Sequence, residues 1–314
     1  MRSAIVSAPA TVANVGPGFD ILSFALEGPR DVVRVTVSKN SSGIIVHSLD
    51  PRVPSGEENV AYIVAKAFLE KLGVESAGLE ITVDKGVPPS RGLGSSAATA
   101  VATAMALAVA LGVELGVEEV ISIAARGEEY VSGSRHFDNV AASLLGGFVI
   151  SNPRGGEFIK IEPPVEVPVG VVIPLVDVPE RKTGYARSLL PRSLSLEEHV
   201  AQSFNIAKLV YSISAGDLKK IGEAVSFDVI AEPRRSQMIP YYGELKKLAL
   251  DSGALGFNIS GAGPSVFFIA ESIERARRLA ERLRDFLADQ GVIAETIVST
   301  VSARGAEVLS VEES

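Results

Sequence analysis

Residues 88–98 read Pro88-Pro89-Ser90-Arg91-Gly92-Leu93-Gly94-Ser95-Ser96-Ala97-Ala98 and run straight into an alanine-rich apolar stretch. Gly92 and Gly94 let the backbone approach a ligand with no Cβ in the way. The helix expected from Ser95 offers unpaired N–H groups and the positive end of its dipole, which together suit an anion. Ser95 and Ser96 add hydroxyls for a phosphate oxygen or a cation, and Pro88 and Pro89 restrict the unfolded loop. Three readings compete. A Gly-Ser turn capping a helix is the plain one. A dinucleotide fingerprint fits Gly92-x-Gly94-x-x-Ala97 formally, but the preceding strand ends well before Gly92 and the next element is helical. A Walker A loop is excluded, because the sequence contains no Gly-Lys dipeptide. The third reading is a phosphate-binding loop of another kind, and Gly-x-Gly by itself favours the plain turn over it.

Working outward, residues 97–113 are apolar all round but rich in alanine, so they predict a helix buried in a domain rather than a membrane span. A second helix is expected over 117–130. Upstream, 32–37 and 79–83 are β-rich runs with partial alternation, and 59–72 has helical periodicity closed by Gly73. At 151–168 the composition turns to proline and glycine, which predicts a boundary between a domain of residues 1–155 and one of residues 156–314. Beyond it come a strand at 169–176, helices at 196–214 and 218–231, strands at 254–259 and 266–269, a helix at 272–290 and a strand at 292–298. Strands backed by helices predict an α+β class of two-layer sandwiches.

The 314 residues carry 46% hydrophobic and 22% charged side chains, the balance of a folded chain with a core. A formal charge of −8 opposes binding to nucleic acid through its phosphate backbone. The absence of cysteine excludes disulfides, thiolate catalysis and cysteine-based zinc sites, and fits a reducing interior. The apolar run at the N-terminus is too short for a signal peptide, so a cytoplasmic location is expected.

Two further segments make the loop specific. Residues 9–20 read Pro9-Ala10-Thr11-Val12-Ala13-Asn14-Val15-Gly16-Pro17-Gly18-Phe19-Asp20, and 258–265 read Asn258-Ile259-Ser260-Gly261-Ala262-Gly263-Pro264-Ser265. With 88–98 between them, they resemble in order the three motifs of the GHMP kinases, over essentially the whole chain. That resemblance implies a two-domain fold, with a ribosomal S5 domain 2-like N-terminal half and a ferredoxin-like C-terminal half. It implies ATP and Mg²⁺ as cofactors, the ATP phosphates on residues 88–98 with Gly261 and Gly263, and a homodimer.

Detail within the family is similar to the homoserine kinase branch: Ser134-Arg135-His136-Phe137-Asp138-Asn139-Val140-Ala141-Ala142, Thr183-x-x-x-Arg187-Ser188-Leu189-Leu190-Pro191, and Pro233-Arg234-Arg235. The branch usually has proline where Phe137 and Ala142 stand, and often tyrosine at Arg234. L-Homoserine offers a carboxylate, an ammonium and a hydroxyl. Arg187 and Arg235 could supply the planar donors a carboxylate wants, and Asp20 with Asn14 suits the ammonium. Taken alone each arginine reads as a solvated surface charge; the motif around it reverses that. By the resemblance, Glu128 and Ser96 hold Mg²⁺, which needs few protein ligands, with Thr183 near the metal or the phosphates and His136 in the substrate pocket. Asn139 is expected to orient the hydroxyl, and Asp138 is an open candidate for a base. A kinase for mevalonate, shikimate or a sugar, and a non-catalytic metabolite sensor of the same fold, are the competing readings.

Overall fold

Strand β1 (Arg2–Ala13) alternates small polar with apolar residues, and Ala4, Val6, Ala8, Ala10 and Val12 all point into the core. It belongs to the first sheet of a computed structural model that describes residues 2–38, 42–74, 78–133, 135–179 and 182–313. β1 pairs antiparallel with the long β2 (Leu22–Ser38), so the turn at 14–21 is folded between two core strands. β3 (Gly43–Ser48) follows, then α1 (Val60–Leu72), capped by the Asn59 side chain on the Ala61 N–H and ended by Gly73 at φ +66°. β4 (Gly78–Asp84) closes this part, giving the strand order β3-β4-β2-β1.

Helix α2 (Ser95–Leu111) lies against β1 and β2, with α1 and α3 (Val117–Ser132) packed over it. Small residues on every side let it sit there: Ala97, Ala98, Ala100, Ala102, Ala104 and Ala106 are fully buried. The short α4 (Asp138–Leu145) leads into β5 (Phe148–Ser151), which extends the sheet from β2, and β6 (Phe158–Ile161) pairs with β5.

A second, antiparallel sheet begins with β7 (Pro168–Pro174). After it come α5 (Lys182–Ser188), α6 (Leu196–Ala215), α7 (Leu218–Val225), α8 (Glu232–Arg235) and α9 (Tyr242–Asp251). The sheet is completed by β8 (Gly256–Ile259), β9 (Val266–Ile269) and β10 (Ala294–Thr300), the last reached through α10 (Ile273–Asp289), in the order β10-β7-β9-β8. The two faces of this sheet serve two cores, as a period of two requires. Val169, Val171, Ile173, Phe267 and Ile269 join the core of the first sheet, whereas Val172, Val266 and Phe268 pack with Leu279 and Leu283 of α10. The last strand, β11 (Glu307–Glu313), returns to pair with β1.

The helix expected over 218–231 stops at Val225. The Asp228 carboxylate takes the N–H groups of Ile230, Ala231 and Glu232 at 2.8 to 3.2 Å and starts α8 afresh, with Pro233 in its first turn. An aspartate that caps a new helix ends the old one, because its oxygens compete for the same N–H groups. No helix among the described residues is long and apolar enough to cross a membrane.

Candidate active site

The loop at 88–98 is folded by its glycines. Gly92 and Gly94 have φ of +80° and +64°. A Cβ on Gly92 would sit 2.5 Å from the Ser260 carbonyl oxygen, and one on Gly94 would sit 1.9 Å from Thr11 Oγ1. The loop is thus wedged between the first and third motifs, where only glycine fits. Thr11 N donates to the Leu93 carbonyl at 3.0 Å, and Ser260 Oγ donates to the Gly92 carbonyl at 2.7 Å.

Beneath the loop lies a buried ion pair that no motif signalled. Lys85 Nζ donates to Asp31, to the Ser95 carbonyl at 2.9 Å and to Thr99 Oγ1 at 2.8 Å. Asp31 Oδ1 in turn accepts the N–H groups of Gly86 and Val87 at 3.1 and 2.9 Å. The start of α2 is therefore tied to β2 by a charge pair whose remaining lone pairs are satisfied, the condition under which a buried pair is tolerated.

The loop borders a cleft of about 580 Å³ whose walls come from loops and helices of both halves of the chain. Asn14, Asp20, Pro89, Ser90, Arg91, Gly92, Gly94, Ser95, Ser96, Glu128, His136, Asp138, Asn139, Thr183, Arg187, Arg235 and Gly261 all line it. Leu93, Ala97 and Ala98 are buried beneath the loop, Pro88 borders a separate groove, and Gly263 stands just behind the wall. Ser134 lies outside the described residues.

At one end Ser96 Oγ donates to Glu128 Oε1. Glu128 projects from α3 and is buried in the wall of the cleft, and burial pushes its carboxyl up to about 7, against the opposing pull of the Ser96 hydroxyl. In the middle, α4 presents Asp138 and Asn139 at its N-terminus. Asn139 Oδ1 accepts from Thr11 Oγ1 at 2.7 Å, which leaves the amide N–H groups for Asp138 and for the cleft. Asp138 Oδ1 accepts the Asn139 backbone N–H at 2.8 Å, and burial, reinforced by nearby Asp20, raises its pKa.

At the other end Asn14 and Asp20 both take φ of +57°, and Asn14 Oδ1 accepts the Asp20 N–H at 2.9 Å. The asparagine side chain thus closes a turn that aims the Asp20 carboxylate into the cleft. Arg187 Nη2 donates to Asp20 at 2.6 and 2.8 Å and lies 2.9 Å from His136 Nε2. Burial lowers the His136 pKa, so the neutral ring accepts through Nε2. Arg235 is 3% exposed; its Nη1 donates to the Gly261 carbonyl at 3.0 Å. Its guanidinium lies 5.0 Å from the centre of the Phe19 ring and that of Arg187 lies 5.5 Å from it. Phe19 is a platform for both cations, a role the sequence reading did not give it.

Lys182, also unanticipated, donates from the start of α5 to the Ser90 carbonyl at 3.1 Å and to that of Gly263. Burial, with Arg91 and Arg235 adding to it, lowers its pKa to about 7.

The pattern described as "GHMP kinases N terminal domain" matches residues 59–147, and "GHMP kinases C terminal" matches 209–289. The chain is 39% identical over 279 residues to the homoserine kinase of Aeropyrum pernix, covering 88% of this chain and 89% of that one. It is 37% identical over 305 residues to the homoserine kinase of Pyrococcus furiosus, covering 96% and 99%. Among solved structures, the homoserine kinase of Cytophaga hutchinsonii superposes with a TM-score of 0.89 at 38% identity, covering 98% of this chain and 97% of that one. The mevalonate kinase of L. major shares the fold alone, with a TM-score of 0.74 at 17% identity and 96% of each chain covered.

Proposed function

The chain belongs to the GHMP kinase family, and we propose that it transfers the terminal phosphoryl group of ATP to the hydroxyl of L-homoserine, giving O-phospho-L-homoserine for threonine synthesis. One observation carries this reading. Arg187 and Arg235 are stacked on Phe19 beside Asp20, in the same cleft as the glycine loop and Asn139. A small amino acid with a hydroxyl matches that wall. Its carboxylate faces the two guanidinium groups, and its ammonium faces Asp20 and the oxygen-rich turn at Asn14. A sugar has no use for the arginines, and mevalonate or shikimate has none for Asp20.

ATP lies with its phosphates on the backbone of 92–96 and at the start of α2, where N–H groups and the helix dipole favour negative charge. Gly261 closes the opposite side. Phosphoryl transfer needs alignment and charge stabilisation more than covalent help. Asn139, fixed by Thr11 and Asp138, orients the hydroxyl of the amino acid toward the loop. Asp138 holds Asn139 and is the candidate to take the departing proton.

The pair Ser96 and Glu128 fits Mg²⁺. A hydroxyl and a carboxylate already in contact, with the carboxyl driven up by burial, form a site that gains from a cation. Among the described residues no group of three or more His, Asp or Glu gathers as a transition-metal cage, which suits an ion that takes few protein ligands. Bound there with Thr183 close by, Mg²⁺ would neutralise charge on the phosphate oxygens. The cytoplasm and a homodimer complete the proposal, both resting on the likeness to the family.

The test is an ADP-release screen of the purified protein with Mg-ATP and homoserine, mevalonate, shikimate or galactose in turn. Release with homoserine alone is the expected result. Release with another acceptor overturns the substrate, and release with none overturns the reaction.

A further inference from the structure

Two lysines are buried in the walls of the cleft, and their surroundings differ. Lys85 is answered by the Asp31 carboxylate. Lys182, 9% exposed, has no carboxylate partner among the described residues, and the charges acting on it are the guanidinium groups of Arg91 and Arg235. Two backbone carbonyls hold its ammonium, those of Ser90 and Gly263. A buried cation set among other cations is poorly neutralised by two carbonyl dipoles, and an anion arriving beside it relieves that cost.

The two carbonyls come from opposite halves of the protein. Ser90 opens the loop that carries Gly92 and Gly94, and Gly263 ends the turn whose Ser260 holds Gly92. An ammonium has three N–H donors, so one remains when both carbonyls are engaged. Because Lys182 lines the cleft beside Ser90, Arg91 and Gly92, that donor lies next to the phosphate loop. The amino-acid end is served by Arg187 and Arg235 instead.

We propose that Lys182 is a further phosphate ligand of this kinase, binding the β- and γ-phosphate end of ATP while clasping the two glycine loops around it. This rests on the reading that the cleft holds the ATP triphosphate. Lys182 would then supply, from the C-terminal half, a point charge that Walker-type loops place in the loop itself.

The test is calorimetric titration of AMP-PNP, ADP and AMP, each with Mg²⁺, and of L-homoserine, into the wild type, Lys182→Met and Lys182→Arg. The methionine variant should lose tenfold or more in affinity for AMP-PNP and ADP, and less than threefold for AMP and homoserine. The arginine variant should recover most of the loss. In steady state the KM for ATP should rise while that for homoserine holds. Lys182→Gln, which keeps a donor for one carbonyl, replaces the methionine variant should the latter not fold. Unchanged AMP-PNP affinity in a folded variant overturns the inference and leaves the proposed function standing. Equal losses for AMP and AMP-PNP also overturn it, since they mark a purely structural clasp. Failure of the wild type to bind AMP-PNP overturns both.

Discussion

Arg187 and Asp20, 167 positions apart, form a two-oxygen ion pair at 2.6 and 2.8 Å across the cleft. The sequence reading assigned them to opposite ends of the same substrate, the arginine to a carboxylate and the aspartate to an ammonium. Their pairing fits that assignment, because a zwitterion can insert between the two and answer each charge with its opposite. It also makes each residue the keeper of the other's position. Arg187→Ala should therefore raise the KM for homoserine by about tenfold to a hundredfold, the loss of a charge-assisted hydrogen bond with its partner left exposed. The KM for ATP should move less than threefold. Equal effects on both constants, measured by initial rates, would contradict the assignment.

Glu128→Gln preserves shape and removes the charge. Turnover should fall by roughly 10²-fold or more, with the circular dichroism spectrum of a folded protein retained. Near-wild-type kcat with an ordinary magnesium requirement would take Glu128 out of the site.

The same residue sets a pH dependence of stability. Burial raises its pKa from 4.5 to about 7, so the folded state holds a proton that the unfolded state has released between those values. That contribution is fully present below the unfolded pKa and is lost as pH rises through 7. It amounts to on the order of 3 kcal/mol. In metal-free buffer the wild type should lose stability relative to Glu128→Gln between about pH 5 and about pH 8. Parallel Tm curves would show that the carboxyl is ionised in the folded protein.

Asp138→Asn separates holding from proton transfer. Asparagine can still accept the Asn139 N–H, so kcat should stay within about tenfold of wild type when the residue acts by position. A fall of about 10³-fold, with Asn139→Ala milder, would identify Asp138 as the base.

Gly94→Ala and Gly156→Ala share a positive φ, +64° and +83°, so both carry about 1–2 kcal/mol of backbone strain, and Gly94→Ala should cost more in stability because of its overlap. Only the first puts a methyl within 1.9 Å of Thr11 Oγ1 and 2.9 Å of Asn139 Oδ1, whereas nothing lies within 4 Å of the second. Kinetic constants should collapse for Gly94→Ala and hold for Gly156→Ala. Similar kinetics in the two would separate the loop from catalysis.

Much of the architecture was legible because it is local. The buried α2 follows from a run of small apolar side chains, the ends of α1 from Asn59 and Gly73, and the sheet of the second half from short apolar runs. The second-half helix was misjudged because Asp228 draws backbone N–H groups from the residues after it, and periodicity does not register a side chain acting on the backbone. The return of β11 to β1 was not legible either, since pairing over some three hundred residues leaves no mark on either segment.

The sequence by itself determined the fold class and named the candidate residues of the site, because three segments in order resemble the motifs of the GHMP kinases; glycine, serine or arginine taken singly has commoner uses. Only the tertiary structure decided which charges meet: Lys85 with Asp31, Arg187 with Asp20, Arg235 over Phe19, and Lys182 with no carboxylate among the described residues. Electrostatic energy depends on separation in space and on burial, and a linear sequence carries neither.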